Sequence, residues 1–276
     1  MPSNGSLDIP HVSVHDHYIR KPIEERTKSD IRKFIGIACI NEAVPDPISK
    51  GRAFIAYFER FGFNKYALDS AKKYFPYQTP QSLNKNYKDV IHILFLEKNY
   101  TEIMRIVSIK PGILNELKTP SFDNRDAWTA YRIGEAFAST GNGAAALQYF
   151  ETANRLAPYV IDFTNKFASA LAAAGNNAKA KSILEQLVYE YPKNATSLAN
   201  LGFLVLVLDR DTARAGSLYE KALEMDPDHE QAIVNKAGLL SFRGKNSEAL
   251  KILMKYIKRN PQSQKAKSAF EQIERL

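Results

Sequence analysis

The chain has 276 residues, of which 25% are charged and 45% hydrophobic, and its formal net charge is +8. These values are typical of a soluble globular protein and argue against an intrinsically disordered chain. The longest apolar stretch, Leu198 to Leu208, falls far short of the roughly 20 residues that cross a bilayer, so we expect no membrane span. The positive charge is spread along the chain without interleaved aromatic stripes, so we also expect no nucleic-acid partner.

Residues 1–30 show no helical periodicity and are predicted to form an extended arm. The segment LDIPHVSVHDHYIRKP holds three of the chain's five histidines, His11, His15 and His17. In an extended strand alternate residues share a face, so the three imidazoles would lie on one side and could bind Zn²⁺, Ni²⁺ or Cu²⁺. No fourth ligand is evident nearby, so a direct metal site and a solvated loop without a ligand both remain open.

The single cysteine, Cys39, lies in the apolar run FIGIACI and is interpreted as a small buried hydrophobic residue. One cysteine excludes an internal disulfide and a zinc site built on thiolates. The sequence also contains no C-x-x-C-H motif, so this chain attaches no haem c of its own.

Residues 31–126 are predicted to contain helix pairs that form degenerate copies of the repeat found later in the chain. One pair covers ISKGRAFIAYFERFG and FNKYALDSAKKYFP, with Gly62 at the turn and Ala67 at the contact between helices. A second covers NKNYKDVIHILFLEKNYTEIMRIVSIKP and ends before Pro111, because proline cannot continue a helix. The segments NEAVPDPISKG and LKTPSFDNRD are the expected breaks.

Four repeats are predicted over residues 127–261, each ending in a helical segment followed by a proline. The prolines are Pro158, Pro192, Pro227 and Pro261, so the spacings are 34, 35 and 34 residues. In a 34-residue frame, positions 8 and 20 hold small residues, which let two antiparallel helices approach closely. Larger residues at positions 11 and 24 fill the space beside that contact. The extra residue of the third repeat is placed in its turn, LDRDTA.

This pattern resembles the tetratricopeptide repeat (TPR), a helix pair that stacks on its neighbours. The resemblance implies an all-α fold, a right-handed superhelical solenoid of antiparallel helix pairs with an extended N-terminal arm. Residues 262–276 are polar and amphipathic, and we expect them to form a capping helix that shields the open end.

The resemblance further implies a concave groove that binds a protein or peptide. Position 6 of the first helix in each repeat faces that groove in the family, and here it holds Arg132, Lys166, Asn200 and Asn235. Such donors could hold the carbonyls or carboxylates of an extended segment, although a merely solvated polar face remains open. The nearby Trp128 and Tyr131 could contact a ligand in the groove or pack against the preceding unit, and packing is favoured.

No catalytic site is predicted, and we do not expect an enzyme. The sequence contains no G-x-S-x-G, P-loop or H-E-x-x-H motif. His92, on an apolar helix, is interpreted as a core histidine with a hydrogen-bond partner. His229, in a turn between repeats, is expected to be exposed.

The segment HVSVHDHYIRKP, followed by TPRs, also resembles part of the extracytoplasmic multihaem cytochromes c of the cytochrome c554 type. This resemblance implies that His11 and His17 are distal axial haem ligands, whereas the role of His15 is left open. It implies haem c held by an upstream domain of a larger parent polypeptide, a role in electron transfer, and a periplasmic or extracytoplasmic location. A cytoplasmic location is the alternative.

The leading functional hypothesis is therefore a TPR interaction or scaffold module, part of a multihaem cytochrome c, whose arm supplies axial histidines. A free-standing TPR adaptor that binds a peptide in its groove is the second hypothesis. Direct binding of a divalent metal by the histidine arm is the third.

Overall fold

The structure is a computed structural model that describes residues 3–5, 13–15, 37–38, 44–61, 65–118 and 124–276. The chain divides into two units, Met1–Pro45 and Asp46–Leu276. In the first unit, strand β1 (Ser3–Gly5) pairs antiparallel with strand β2 (Ser13–His15), so the predicted extended arm contains a short two-stranded ladder. The haem-ligand prediction for His11 and His17 lies outside the described residues.

The second unit is built from helices, fourteen of them over its described residues, which confirms the predicted all-α fold class. They are α1 (Pro47–Phe61), α2 (Lys65–Lys72), α3 (Pro80–Leu96), α4 (Tyr100–Ile109), α5 (Ile113–Lys118), α6 (Arg125–Ser139), α7 (Gly143–Leu156), α8 (Ile161–Ala173), α9 (Asn177–Glu190), α10 (Ala195–Leu204), α11 (Thr212–Met225), α12 (Glu230–Phe242), α13 (Asn246–Arg259) and α14 (Gln264–Glu274). Neighbouring helices in the chain pack against one another as hairpins. None of these described helices has the length and apolar character needed to cross a membrane.

The first helices of four successive pairs are α6, α8, α10 and α12, and their partners are α7, α9, α11 and α13. Each first helix contacts the second helix of its own pair, and α14 packs on both α12 and α13. One hydrophobic core runs from α7 to α12 and a second joins α12, α13 and α14. We keep the division into an arm (1–30), degenerate repeats (31–126), four repeats (127–261) and a cap (262–276) as a proposal.

Four of the helices end in the same hydrogen-bonded cap. After each of them one residue adopts a positive φ angle, and the next backbone N–H donates to a carbonyl five residues back. The positive-φ residues are Lys98, Gly141, Gly175 and Gly244. This is the Schellman arrangement, which glycine adopts without steric cost.

The third repeat accommodates its extra residue within a helix. Residues Val205–Asp209 continue α10 as a π-helical segment, and Arg210 ends it in the left-handed conformation with φ 55°. The prediction that placed the extra residue in the LDRDTA turn is therefore refined: the wider helical segment begins at Val205, before that turn, and includes its first two residues, Leu208 and Asp209. Such wider turns are often found at functional sites.

Candidate partner-binding face

The four predicted groove residues lie on the four first helices, one residue on each. Arg132 is on α6, Lys166 on α8, Asn200 on α10 and Asn235 on α12, and all four are half-buried. We call the surface formed by α6, α8, α10 and α12 the first-helix face. The structure gives these four side chains different surroundings.

Asn200 and Asn235 line the same hollow, which has a volume of about 370 Å³ and lies between α8, α10 and α12. Ser169 and Gln231 add polar groups, and none of the described residues that line the hollow is charged. Small-molecule and side-chain pockets typically span about 300–1,000 Å³, so this one can hold a small group.

The two asparagines leave one donor and one acceptor unused in this hollow. Asn235 Oδ1 accepts a 2.6 Å hydrogen bond from Gln231 Nε2, whereas Asn235 Nδ2 is buried without a partner in the described chain. Asn200 Nδ2 donates at 3.4 Å to Asn165 Oδ1 and to Ser169 Oγ, while its own Oδ1 accepts from no described group. A buried amide without a partner costs about 1–3 kcal/mol, and solvent does not reach Asn235 Nδ2 as the side chain stands, so a ligand would meet this donor only after the amide turns toward the hollow.

The hollow exists because α8 carries small side chains at this place. Ala168, Ala172 and Ala173, from the run ASALAAAG, line it together with Leu184 of α9 and Leu204 of α10. On the opposite side, Phe203 lines the hollow although 47% of it is exposed. An exposed aromatic residue beside a cavity is a typical feature of a binding surface.

Lys166 is engaged with the preceding repeat. Its Nζ lies 2.9 Å from Glu135 Oε1 on α6. A half-exposed ion pair of this kind contributes at most about 1 kcal/mol, so the pair could open for a ligand. As it stands, Lys166 joins two first helices and presents no unpaired charge.

Arg132 lies apart from the hollow, among charged residues of α1 and α3. Its guanidinium carbon lies 5.5 Å from the centre of the Trp128 ring, a cation–π distance. Burial lowers the pKa of Arg132 to about 10, and the attraction of Glu59 and Asp89 partly opposes that shift. Arg132 therefore remains protonated at neutral pH.

The aromatic neighbours of Arg132 differ from the prediction. Trp128 packs edge-on against Phe163 of the following repeat, with ring centres 4.8 Å apart. Tyr131 contacts both Phe163 at 5.1 Å and Phe95 of the preceding helix pair at 6.4 Å. The expectation that both pack against the preceding unit was therefore wrong for Trp128, because α8 of the following repeat supplies a fully buried ring, Phe163, beside it.

The two described histidines outside the arm both have hydrogen-bond partners. His92 Nε2 lies 2.7 Å from Glu59 Oε1, which confirms the expected partner, although 19% of the side chain is exposed. His229 is half-buried and caps α12, with Nδ1 accepting from the Ala232 N–H at 3.2 Å. The prediction that His229 is exposed was wrong, because this cap draws the ring against the helix. Burial lowers the pKa of both histidines.

A larger hollow of about 530 Å³ lies between α3 and α4. Its charged side chains are already paired, Arg105 with Glu102 and Lys110 with Glu116. We therefore favour the smaller hollow on the first-helix face, where unpaired polar atoms remain.

No group of three or more His, Cys, Asp or Glu side chains is placed to hold a metal ion within the described ranges. The direct-metal prediction for His11, His15 and His17 concerns the first unit, where the backbone of His15 in β2 is described but His11 and His17 lie outside the described residues. It stays a prediction.

Comparison with known proteins adds sequence evidence to this geometry. Residues 166–194 and residues 206–273 each match a family described as tetratricopeptide repeat. Over these two segments the chain matches tetratricopeptide repeats. Solved structures with the same fold include a thermophilic TPR protein of Thermus thermophilus, TTC0263, which is 16% identical with a TM-score of 0.50 and covers 83% of this chain and 98% of that one.

Two further comparisons concern chains longer than this one. The APC/C hetero-tetramer Cut9-Hcn1 contains a chain that is 13% identical to this one, with a TM-score of 0.57. The match covers 82% of this chain and 42% of the Cut9-Hcn1 chain. Cellulose synthase operon protein C of Pseudomonas fluorescens (strain SBW25) is 27% identical over 205 residues, which are 72% of this chain and 16% of that protein. The chain thus spans a small part of the curated relatives it matches, 16% and 21% of their lengths.

Sequence reasoning missed several residues that form the hollow. Gln231 stands at position 2 of its repeat, and Ser169 and Phe203 each stand at position 9 of theirs. These positions share the first-helix face with position 6, because residues three and four apart lie side by side on a helix. Extending the position-6 argument by one helical turn in each direction would have found all three.

Proposed function

We propose that this chain is a protein-interaction module that binds an extended segment of a partner protein along the first-helix face. The observation that carries the proposal is a hollow lined by two asparagines that do not use all their hydrogen-bonding groups: Asn235 Nδ2 is buried without a partner, and Asn200 Oδ1 accepts from no described group. An extended backbone offers the matching carbonyl and N–H groups.

The lining of the hollow supports a neutral, apolar contact at this end of the face. A side chain of the bound segment would enter between Ala168 and Leu204 and rest against Phe203. Burial of apolar surface stabilises such a contact by about 25 cal/mol per Å². Because the described lining residues carry no charge, a charged side chain there would lose hydration without gaining a partner.

The role we propose is that of an adaptor or scaffold without catalysis. The polar groups of the hollow are amides and one hydroxyl, which donate and accept hydrogen bonds and do not supply an acid, a base or an activated nucleophile at neutral pH. The repeats match a family whose members stack to form extended binding surfaces.

The electron-transfer role remains a separate and untested proposal. It would make His11 and His17 axial ligands of haem c in a larger extracytoplasmic protein, and the single cysteine of this chain requires the haem to be attached elsewhere. The test is the coding sequence upstream of Met1: in-frame C-x-x-C-H codons support this role and their absence ends it. Isothermal titration with Zn²⁺ and a His11/His15/His17 triple alanine variant tests direct metal binding.

Selection from a phage-displayed library of linear peptides tests the proposed function. We expect enriched peptides to lose about tenfold or more in affinity for Asn235→Leu, because about 1.4 kcal/mol corresponds to a factor of ten. Gln148→Leu, which removes an exposed amide from α7, is the matched control and should bind like the wild type. Peptides that bind Asn235→Leu and Asn200→Leu as tightly as the wild type would show that the segment binds elsewhere.

A further inference from the structure

The guanidinium of Arg132 is a half-buried positive charge whose neighbouring carboxylates are already engaged. Asp89 accepts hydrogen bonds from Arg52 Nε at 3.0 Å and from Arg125 Nη2 at 2.6 Å. Glu59 is bonded to His92 at 2.7 Å. Over the described part of the chain, Arg132 forms no ion pair within 4.0 Å and no hydrogen bond.

An unpaired charge that has lost much of its hydration is costly to the folded protein. A partly buried guanidinium recovers this cost when an anion binds to it. Arg132 keeps its charge at neutral pH even though burial lowers its pKa to about 10. Glu59 and Asp89 attract the Arg132 guanidinium, but neither forms a direct ion pair with it, so an anion that bound there would gain hydrogen bonds that these two carboxylates do not supply.

We propose that Arg132 is an anion-binding subsite of the first-helix face and takes the carboxylate side chain of an Asp or Glu residue in the bound segment. This rests on the proposed function, because it assigns a chemical class to one residue of the occupant. A planar guanidinium binds a carboxylate through two parallel hydrogen bonds. The Trp128 ring, 5.5 Å away, supports the guanidinium while its N–H groups remain available.

The position of Arg132 also gives the bound segment a direction. Arg132 is on α6, at one end of the face, whereas the neutral hollow lies between α8, α10 and α12. Lys166, between them, is paired with Glu135. The segment would thus place its acidic residue at the α6 end and its apolar residue at the α10–α12 end.

Trp128 provides a direct reporter, because it is the chain's one tryptophan and stacks on Arg132. The experiment titrates the full chain with N-acetyl-glutamate N-methylamide and, separately, with the matched glutamine compound, while tryptophan fluorescence is recorded. We expect the glutamate compound to reach half of its maximal fluorescence change at a concentration about tenfold lower than the glutamine compound does. A charge-assisted hydrogen-bonded pair is strong enough to give such a difference.

Three variants locate the effect. Arg132→Gln should remove the preference for glutamate. Arg132→Lys keeps the positive charge but loses the planar guanidinium that forms two parallel hydrogen bonds, so it should retain part of the preference. Arg259→Gln removes the same charge from α13, where Arg259 pairs with Asp228 at 2.8 Å, and should behave like the wild type. Equal responses of the wild type to both compounds, or a preference that survives in Arg132→Gln, overturn the inference. Peptide binding that depends on Asn235 without any preference for an acidic residue overturns it while the proposed function stands.

Discussion

Gly202 on α10 lies directly against the ring of Tyr219 on α11. A Cβ atom on residue 202 would lie 2.6 Å from Tyr219 Cε1, which is closer than real Cβ contacts allow. The absence of a side chain at position 8 of this repeat therefore sets the distance between the two helices. Gly134 has the same relationship to Phe150, at 2.8 Å.

We expect Gly202→Ala to lower the free energy of unfolding by about 1–3 kcal/mol, because overpacking in a tight contact forces side chains or backbone to move. Gly238→Ala is the matched control in α12, where no atom lies within 4 Å of the added Cβ. It should leave stability unchanged or raise it by up to about 1 kcal/mol through higher helix propensity. Urea denaturation of both variants checks the prediction, and an equal effect of the two would contradict it.

Tyr219→Phe should leave the free energy of unfolding unchanged or raise it. The Tyr219 hydroxyl is buried and has no hydrogen-bond partner in the described chain, so its removal relieves a desolvation cost of about 1–3 kcal/mol. Tyr159→Phe is the comparison, because the Tyr159 hydroxyl donates to Asn124 Oδ1 and its removal should cause a small loss. Thermal denaturation distinguishes them; a large loss for Tyr219→Phe would show that its hydroxyl is paired.

Lys98→Gly should raise the free energy of unfolding by about 0.5–1 kcal/mol. Lys98 ends α3 with φ 57°, in the same cap that Gly141, Gly175 and Gly244 form elsewhere. A side chain in this conformation costs about 1–2 kcal/mol, and the greater freedom of glycine in the unfolded chain offsets part of the gain.

The reverse substitution provides the control for Lys98→Gly. Gly175→Ala should destabilise the protein, because Gly175 has φ 85° and alanine carries the same steric cost there. Urea denaturation measures both; a Lys98→Gly variant less stable than the wild type would contradict the account of these caps.

Stability should fall as the pH drops from about 7.5 to about 5.5, partly because His229 must stay neutral to cap α12. Burial lowers the pKa of His229 below its ordinary 6.5. Its contribution is therefore complete above the unfolded pKa and is lost as the pH falls, because the unfolded chain takes up the proton first. His92 has a lowered pKa and acts in the same direction.

His229→Asn tests this pH dependence. Asparagine is a good N-cap residue that does not titrate, so the variant should lose less stability than the wild type over the same pH range. Urea denaturation at several pH values gives the comparison. Parallel pH profiles for the two proteins would show that His229 does not contribute.

The repeat frame could be predicted from the sequence because its physical causes are local. Proline interrupts the interior of a helix, and a small residue such as Gly202 must stand where the Tyr219 ring packs for the two helices to approach. The same reasoning could not find the contact of Gly51, whose Cβ would lie 2.6 Å from Phe75 Cε2. The irregular first half of the chain offers no frame in which Gly51 takes a numbered position.

The candidate site was predicted in part. Position 6 identified Asn200 and Asn235, but it could not show that Lys166 pairs with Glu135 or that Arg132 stays unpaired. Those differences depend on neighbouring helices, and the π-helical segment after α10 depends on how one extra residue is absorbed. These features depend on how helices pack against one another, and the hydrophobic periodicity of a sequence does not predict that packing.

The central claim is that the hollow between α8, α10 and α12 binds the backbone of a partner segment. The most direct measurement follows the side-chain amide NMR signals of Asn235 and Asn200 while a selected peptide is added to the ¹⁵N-labelled full chain. The account predicts that both signals shift and saturate with the peptide, while the exposed Gln148 amide on α7 does not move. Saturable peptide binding that leaves the Asn235 and Asn200 signals unchanged would contradict it.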